Sequence, residues 1–237
     1  MVESQKVPGN SRSSVLADGF DLLVFDLDGT LVDSFLDIAR SVNEALEHFA
    51  RPPLDPDLIR TYVGDGAARL IARSLGDAAP ELLDAALAVF LRSYRRSCLA
   101  TTRTYPGVAQ ALEALARRPL AVLTNKPLDL SLSILEGLGL RGYFREVVAG
   151  DSGPPRKPDP SGLLGLVDRH GGPPGRCLMI GDSAVDVKTA RAAGTRSAGV
   201  TYGFRPDELG RCPPDFLLRS LEELVAPARR PGATGLP

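Results

Sequence analysis

The sequence predicts an α/β fold in which a parallel sheet carries helices on both faces and a block of helices is inserted after the first strand. Two observations along its 237 residues support this prediction. Short apolar runs of strand length alternate with segments of helical periodicity, which is typical of a parallel sheet buried on both faces. Residues 34–103 interrupt this alternation, because they contain no convincing strand and have helical periodicity instead.

The elements before residue 104 define the first strand and the inserted helices. The first strand is the apolar run DLLVF at 21–25, and the next segment, 34–49, has apolar residues at helical spacing. Further helices are predicted in the segments 54–62, 66–76 and 80–97. Residues 34–103 are therefore expected to form an all-helical cap.

After residue 104 the alternation of strands and helices continues to residue 225. Further strands are predicted at PLAVLTN, YFREVVAGD, RCLMIGD and RSAGVTY, and a short strand and helix at DFLLRSLEELV end the fold. Residues 20–33 and 104–225 thus form the predicted core, a Rossmann-like parallel sheet with helices on both faces. The polar segments 1–19 and 226–237 are expected to be a disordered and a flexible tail.

Composition argues against several classes of protein. The net charge is −1 and there is no long basic block, so neither nucleic acid nor an anionic membrane is an expected partner. No segment has the apolar length of a membrane span, and residues 1–19 lack the apolar centre of a signal peptide, so we expect a cytoplasmic protein. Three widely spaced cysteines favour free thiols over a disulfide or a zinc site.

Polar clusters follow four of the predicted strands, at the sheet edge where open parallel sheets bind ligands. They are VFDLDG, LTNK, RKPD and MIGDSAVD. The aspartates in them would repel one another in a single cleft unless a divalent cation lay among them. Because the clusters contain carboxylates and no His or Cys, Mg²⁺ is the expected ion. The predicted metal ligands are Asp26, Asp28, Asp182 and Asp186.

The same clusters contain groups that could hold and transfer a phosphoryl group. The hydroxyl of Thr124, the backbone near Asn125 and the cation of Lys157 suit phosphate oxygens. Asp26 could attack phosphorus and form an acyl phosphate, while Asp28 donates a proton to the leaving oxygen and later takes one from water. The predicted partner is therefore a small phosphorylated substrate.

Lysine is rare in this chain, which makes each lysine informative. Only four of the 28 basic residues are lysines. Lys157 lies beside a proline in one of the polar clusters and is assigned to the phosphate. For Lys126, in the cluster LTNK, a surface role and a substrate contact fit the sequence equally well. Lys188 is expected to be an exposed helix residue.

These motifs appear in the same order as in the haloacid dehalogenase-like hydrolases, which the chain resembles over residues 20–225. The matching segments are DLDGT, the Thr of LTNK, the Lys of RKPDP and the aspartates of GDSAVD. The helical insertion directly after the first motif resembles the family's phosphatases with a C1 cap. The resemblance implies a phosphoric monoester hydrolase that uses Mg²⁺ and an aspartyl-phosphate intermediate.

The resemblance also implies a role for each motif residue. Asp26 would be the nucleophile and a metal ligand, and Asp28 the acid and base, giving the metal its backbone carbonyl. Thr124 and Lys157 would hold the phosphoryl group. Asp182 would bind the metal directly, whereas Asp186 would act through water or orient Lys157.

Finer features favour 2-phosphoglycolate as the substrate. YPGV at 105–108, TNKP at 124–127 and GVTYGF at 199–204 resemble family members that hydrolyse it to glycolate and phosphate. Its carboxylate is expected to meet an arginine, and Arg69, after the loop VGDG at 63–66, is the candidate. The alternatives are a phosphosugar mutase, a phosphatase for a sugar phosphate or pyrophosphate, and a non-catalytic binding protein on the same fold. Phosphonate-cleaving relatives use a cap lysine, which residues 34–103 do not contain.

Overall fold

The computed structural model describes residues 15–76 and 80–226. In chain order, the strands of these residues are β1 (Leu22–Phe25), β2 (Val32–Asp33), β3 (Arg103–Thr104), β4 (Leu120–Leu123), β5 (Glu146–Val148), β6 (Cys177–Gly181), β7 (Arg196–Val200) and β8 (Phe216–Leu218). The α-helices are α1 (Phe35–His48), α2 (Pro56–Tyr62), α3 (Ala67–Leu75), α4 (Leu83–Ser97), α5 (Val108–Leu115), α6 (Leu128–Gly137), α7 (Ser161–His170), α8 (Ala184–Ala193) and α9 (Asp207–Arg211).

Six strands form one sheet in the order β5-β4-β1-β6-β7-β8. Every pairing in this sheet is parallel. In β1, Leu23 and Phe25 belong to the apolar cluster on one face, whereas Leu22 and Val24 belong to the cluster on the other. Helices α5 and α6 pack on the first face, and α7 and α8 on the second. The predicted α/β class with a parallel, doubly covered sheet is confirmed.

The helices α1 to α4 and their connections, called the helical block below, lie between β2 and β3 in sequence. Apolar residues of α1 and α4 pack together, among them Val42 and Phe90, which are both buried. Helix α2 begins with a proline at its first turn, and the Asp55 carboxylate accepts a hydrogen bond from the Asp57 backbone N–H at 2.7 Å. These are ordinary helix-start signals, and the helix lies within the predicted segment 54–62.

The two connections between the helical block and the sheet pair with each other. Strands β2 and β3 form an antiparallel ladder in which Val32 faces Thr104 and Asp33 faces Arg103. At this crossing the Asp37 carboxylate, at the start of α1, accepts hydrogen bonds from the backbone N–H and the hydroxyl of both Thr101 and Thr102. A ladder of two residues is too short to show a period in sequence, so it was not predicted.

Several predictions about the smaller elements are wrong. Residues 15–19 belong to the predicted disordered tail, but Leu16–Gly19 forms a 3₁₀ turn whose Ala17 is buried in the core. The predicted final helix is a 3₁₀ turn at Leu221–Leu224, and α9 was not predicted. Residues 1–14 and 227–237 of the predicted tails lie outside the described residues. Within 15–76 and 80–226, every helix is too short or too polar to cross a bilayer.

Candidate active site

Polar residues that follow three neighbouring strands meet at one edge of the sheet. Asp26 comes directly after β1, Thr124 after β4 and Asp182 after β6. Because β1 lies between β4 and β6 and all three run in parallel, their carboxyl ends lie side by side. The parallel pairing therefore brings together side chains that are distant in sequence.

Three aspartates form a buried acid cluster at this edge. One carboxylate oxygen each of Asp26, Asp182 and Asp186 lies within 4.8 Å of the other two. The ammonium group of Lys157 lies 2.9 Å from Asp26 and 2.6 Å from Asp186. Three carboxylates against one lysine leave two negative charges uncompensated in a buried site, provided that all three are ionised.

Burial and neighbouring charges raise the pKa of two carboxyl groups of the acid cluster. Burial raises the pKa of Asp26 to about 6; the charge of Lys157 opposes this shift and that of Asp186 adds to it. Burial and the charges of Asp186 and Asp26 also raise the pKa of Asp182 well above its ordinary value. Ionising all three carboxylates is therefore unfavourable unless a further cation joins them.

The acid cluster fits a hard divalent cation. All its potential ligands are carboxylate oxygens, which Mg²⁺ prefers, and the two uncompensated charges match the charge of such an ion. Asp26, Asp182 and Asp186 are the residues that could hold it. The carboxylate of Asp28 lies outside the cluster, so a contact from Asp28 through its backbone carbonyl stays a prediction.

Two glycines pack directly against Asp182. A Cβ atom on Gly29 would lie 2.2 Å from an oxygen of Asp182, and one on Gly203 would lie 2.2 Å from its Cβ atom. In addition, the backbone N–H of Phe204 donates to Asp182 at 2.6 Å. The motifs DLDGT and GVTYGF thus fix this carboxylate from both sides. The sequence marked GVTYGF only as a point of resemblance and gave it no role.

Asp28 belongs to a second charged cluster in the same pocket. Its carboxylate accepts from the Lys126 ammonium group at 3.0 and 2.9 Å, and from the Ser34 hydroxyl at 2.5 Å. The Lys126 ammonium group also donates to the Tyr94 hydroxyl at 2.7 Å and lies 4.4 Å from the centre of its ring. Asp28 is therefore linked to the core through Lys126 and to the helical block through Ser34 and Tyr94.

Lys126 is a site residue that the sequence left undecided. Its side chain is 4% exposed, so a surface role is wrong. Burial by itself would lower the pKa of Lys126, but the Asp28 charge and the Tyr94 hydroxyl raise it above its ordinary value. The available signal was the scarcity of lysine, which made this position unusual in an arginine-rich chain.

Thr124 lies at the sheet edge, and Asn125 connects this edge with the helical block. Thr124 is buried and lines the pocket, and its hydroxyl accepts from the Lys126 backbone N–H at 3.3 Å. The Asn125 side-chain amide donates to the carbonyls of Gly64 and Lys157, both at 3.0 Å. Asn125 thereby holds the loop VGDG of the helical block against the segment that carries Lys157.

The pocket lies between the sheet edge and the helical block. Its polar wall includes Asp26, Asp28 and Lys126, and apolar residues of the helical block such as Leu70 and Phe90 face this wall. A charged reacting group would thus lie against the core, with apolar side chains opposite it.

The structure does not bring Arg69 to the pocket. Arg69 is exposed and is not among the pocket-lining residues, whereas Ala67 and Leu70 of the same helix are. Positions 67 and 70 share a helix face from which position 69 points away. The prediction was therefore right about the helix and wrong about the face. The arginine that lines the pocket is Arg205, which pairs with Glu208 and donates to the Val63 carbonyl at 2.9 Å.

The fold and the acidic sheet edge define a class of α/β hydrolase, and comparison with known proteins identifies the family. The sequence model of the haloacid dehalogenase-like hydrolases matches residues 20–194. This match covers more than half of the chain, and the protein belongs to this family of hydrolases.

The chain is also similar to individual family members. It is 38% identical over 227 residues to phosphoglycolate phosphatase 1 of Pseudomonas aeruginosa, with 91% of this chain and 82% of that protein covered. It is 40% identical over 210 residues to the phosphoglycolate phosphatase of Chromobacterium violaceum, with 85% and 93% covered. Among solved structures, a predicted phosphoglycolate phosphatase from Haemophilus somnus has a TM-score of 0.81 at 31% identity, with 87% of this chain and 96% of that chain covered.

Proposed function

We propose that this protein is a Mg²⁺-dependent phosphatase that hydrolyses 2-phosphoglycolate to glycolate and phosphate. The observation that carries the reaction class is the acid cluster of Asp26, Asp182 and Asp186, with Lys157 in contact with Asp26 and Asp186. The substrate is inferred from the names of the relatives, which are phosphoglycolate phosphatases similar to this chain over most of its length.

In the first step, a carboxylate oxygen of Asp26 attacks phosphorus. The bond from phosphorus to the ester oxygen breaks, and that oxygen takes a proton from Asp28, so glycolate leaves and an acyl phosphate remains on Asp26. The Leu27 backbone N–H donates to an Asp26 oxygen at 2.8 Å and Lys157 lies 2.9 Å away, which orients the nucleophile. Thr124 and Lys157 hold the phosphate oxygens.

In the second step, water hydrolyses the acyl phosphate. Asp28, now a carboxylate, takes a proton from water while the water oxygen attacks phosphorus, and the carboxylate of Asp26 is released together with phosphate. When bound, Mg²⁺ supplies positive charge that stabilises the charge on the phosphate oxygens. Asp186 has a further task, because it holds Lys157 at 2.6 Å and accepts from the Ser183 hydroxyl at 2.8 Å.

The helical block, residues 34–103, is proposed to act as a cap that moves relative to the core of residues 20–33 and 104–225. The paired connections β2 and β3 are the place where such a motion would bend the chain. The contacts from Asn125 to Gly64 and from Arg205 to Val63 would have to break for the pocket to open. Substrate entry and water access would both depend on this motion.

A steady-state screen tests the proposed substrate. With Mg²⁺ present, kcat/KM for 2-phosphoglycolate should exceed the values for sugar phosphates and pyrophosphate by at least about tenfold. A tenfold ratio corresponds to a difference of about 1.4 kcal/mol in transition-state binding, which a few specific contacts can supply. Similar values for all esters would contradict the substrate while leaving the reaction class intact. No turnover of any ester would favour a non-catalytic protein.

The phosphosugar mutase alternative is separated by its product. A mutase returns the phosphoryl group to a sugar, so it releases little inorganic phosphate and needs a bisphosphate primer. The proposed phosphatase releases one phosphate for each glycolate without a primer. Measuring both products in one reaction distinguishes the two.

A further inference from the structure

The pocket contains two buried lysines with different surroundings. Lys157 contacts two carboxylates of the acid cluster, while Lys126 contacts the single carboxylate of Asp28 and the Tyr94 hydroxyl. Burying an ammonium group is unfavourable unless nearby anions compensate it. Lys157 is accounted for by the acid cluster and the phosphoryl group. The reaction as described gives Lys126 no role, although its side chain is as deeply buried.

We propose that Lys126, together with Tyr94, binds the carboxylate of the substrate, and that Lys126 leaves Asp28 to do so. This inference rests on the proposed function, because it assigns the charged group that distinguishes 2-phosphoglycolate from other small phosphate esters. It replaces Arg69, whose exposed position keeps it away from the pocket.

The covalent structure of the substrate restricts where its carboxylate can lie. In 2-phosphoglycolate a single methylene group separates the ester oxygen from the carboxylate carbon. The group that serves the ester oxygen and the group that binds the carboxylate must therefore be immediate neighbours. Asp28 is assigned to the ester oxygen, and the Lys126 ammonium group lies 2.9 Å from its carboxylate.

The contacts of Asp28 support an exchange of partners. Lys126 bonds to both oxygens of Asp28, and Ser34 bonds to one of them. An oxygen held by an ammonium group is poorly placed to meet the ester oxygen. A substrate carboxylate that draws Lys126 away would leave Asp28 facing the leaving group. A phosphate ester without a carboxylate provides no such replacement anion.

Other cations near the pocket are less suitable. The Arg205 guanidinium group is paired with Glu208 and donates to the Val63 carbonyl. Lys157 is held between Asp26 and Asp186. Lys126, by contrast, is bonded to Asp28, the group assigned to the ester oxygen, and the adjacent Tyr94 hydroxyl can take part in the same contact.

Tyr94 gives the subsite a link to the helical block. It is 1% exposed and lies on α4, whereas Lys126 follows β4 in the core. The carboxylate subsite is complete only when the helical block is in the position seen here. A substrate with a carboxylate would thus favour the closed pocket more than a phosphate ester without one.

The test compares 2-phosphoglycolate with ethyl phosphate, which has the same chain length and no carboxylate. In Lys126→Gln, the ratio of kcat/KM for 2-phosphoglycolate to that for ethyl phosphate should fall at least about tenfold, the size expected for losing a hydrogen bond between charged groups. Lys126→Arg should recover part of the ratio. Lys188→Gln, a change at an exposed lysine, is the matched control and should leave the ratio unchanged.

Binding provides an independent readout. Binding can be measured by calorimetric titration in an Asp26→Asn background with Mg²⁺ present. Adding Lys126→Gln should raise the Kd of 2-phosphoglycolate by a factor at least about tenfold larger than that for ethyl phosphate. An unchanged ratio in both experiments would overturn the assignment. If Lys126→Gln does not fold, Tyr94→Phe replaces it, and an undiminished preference for 2-phosphoglycolate in that variant would also overturn it.

The same data separate this inference from the proposed function. A wild-type protein that does not prefer 2-phosphoglycolate to ethyl phosphate contradicts the substrate itself. A wild-type preference that survives in Lys126→Gln contradicts only the role of Lys126.

Discussion

Asp37, at the start of α1, and the acid cluster at the sheet edge are both buried carboxylate sites, but their surroundings differ. Asp37 accepts hydrogen bonds from two backbone N–H groups and two hydroxyls of Thr101 and Thr102. Burial opposes its ionisation, yet these hydrogen bonds outweigh burial and lower its pKa below the ordinary value. In the acid cluster, by contrast, burial and neighbouring carboxylates raise the pKa of Asp26 and Asp182.

This difference supports the proposal that Asp37 is a structural carboxylate and that the carboxylates of the acid cluster are functional. Asp37 has all its partners within the chain and joins the two ends of the helical block. The acid cluster has one lysine for three carboxylates, an imbalance that a bound divalent cation would relieve. Changes at Asp37 should therefore affect folding, whereas changes in the acid cluster should affect chemistry and metal response.

The largest expected effect is the loss of turnover in Asp26→Asn. The variant lacks the nucleophile, so kcat for 2-phosphoglycolate with Mg²⁺ should fall at least about 10³-fold. Asp37→Asn, assayed at a temperature where it is folded, is the comparison and should keep kcat within about threefold, because Asp37 is outside the pocket lining. A large loss of kcat in folded Asp37→Asn would show that Asp37 also acts in the chemistry.

The next effect is on stability. Asp37→Asn should lower the free energy of unfolding by about 2–4 kcal/mol, because it removes a charged acceptor and leaves buried donors poorly matched. Urea unfolding measures this change. Asp57→Asn is the matched control, since the Asp57 side chain is 92% exposed and its loss should change stability by less than about 0.5 kcal/mol.

The dependence of stability on pH should have opposite signs at the two sites. The folded-state pKa of Asp37 is lowered, so its stabilisation is present above the unfolded pKa and is lost as pH falls through the folded value. The folded-state pKa of Asp26 is raised from 3.8 to about 6, so stability is lost as pH rises through that range in a metal-free buffer.

Unfolding curves of the two Asn variants against wild type between pH 3 and 7 test these signs. The deficit of Asp37→Asn should shrink toward low pH. The free energy of unfolding of Asp26→Asn, relative to that of wild type, should increase from about pH 4 to pH 6. This is the range between the ordinary pKa of Asp26, 3.8, and its raised value of about 6. Parallel curves for both variants would show that the sites do not differ in the way proposed.

The smallest effect is expected at an exposed ion pair between the helical block and the core. Arg95 on α4 donates to Asp129 on α6 at 2.5 Å, and both side chains are 48% exposed. Asp129→Asn should destabilise the protein by less than about 1 kcal/mol, and salt should diminish the difference. A larger effect would mean that exposed carboxylates also hold the helical block in place.

The sequence revealed the acid cluster because its residues follow strand ends, where a parallel sheet collects them. Asp26 and Asp182 could be expected at one edge as soon as the strands were recognised. Asp37 could not be identified in this way, because its partners Thr101 and Thr102 lie 64 and 65 residues away and no local pattern marks the pairing. The strand positions depend on local periodicity, whereas the surroundings of Asp37 depend on a long-range contact.

Predictions for the substrate pocket were limited for the same reason, because they also depend on long-range contacts. Arg69 was expected in the pocket from its helix alone, but the face of α3 that meets the core is set by how the helices pack. Lys126 was left open because its partner Tyr94 is 32 residues earlier, on a helix of the inserted block. Contacts between the helical block and the core could thus not be predicted from the sequence, because they depend on how these two parts pack.

The acid cluster is proposed to be held in an unfavourable state that a divalent cation relieves. The most direct test is thermal unfolding of wild type and Asp182→Asn, each with a chelator and with Mg²⁺. In chelator the variant should melt roughly 2–4 °C above wild type, because one repelling charge is gone. Mg²⁺ should raise the Tm of wild type and leave that of the variant almost unchanged. Either of two results would contradict this account: a Tm of the variant below that of wild type in chelator, or a rise in Tm with Mg²⁺ that is as large for the variant as for wild type.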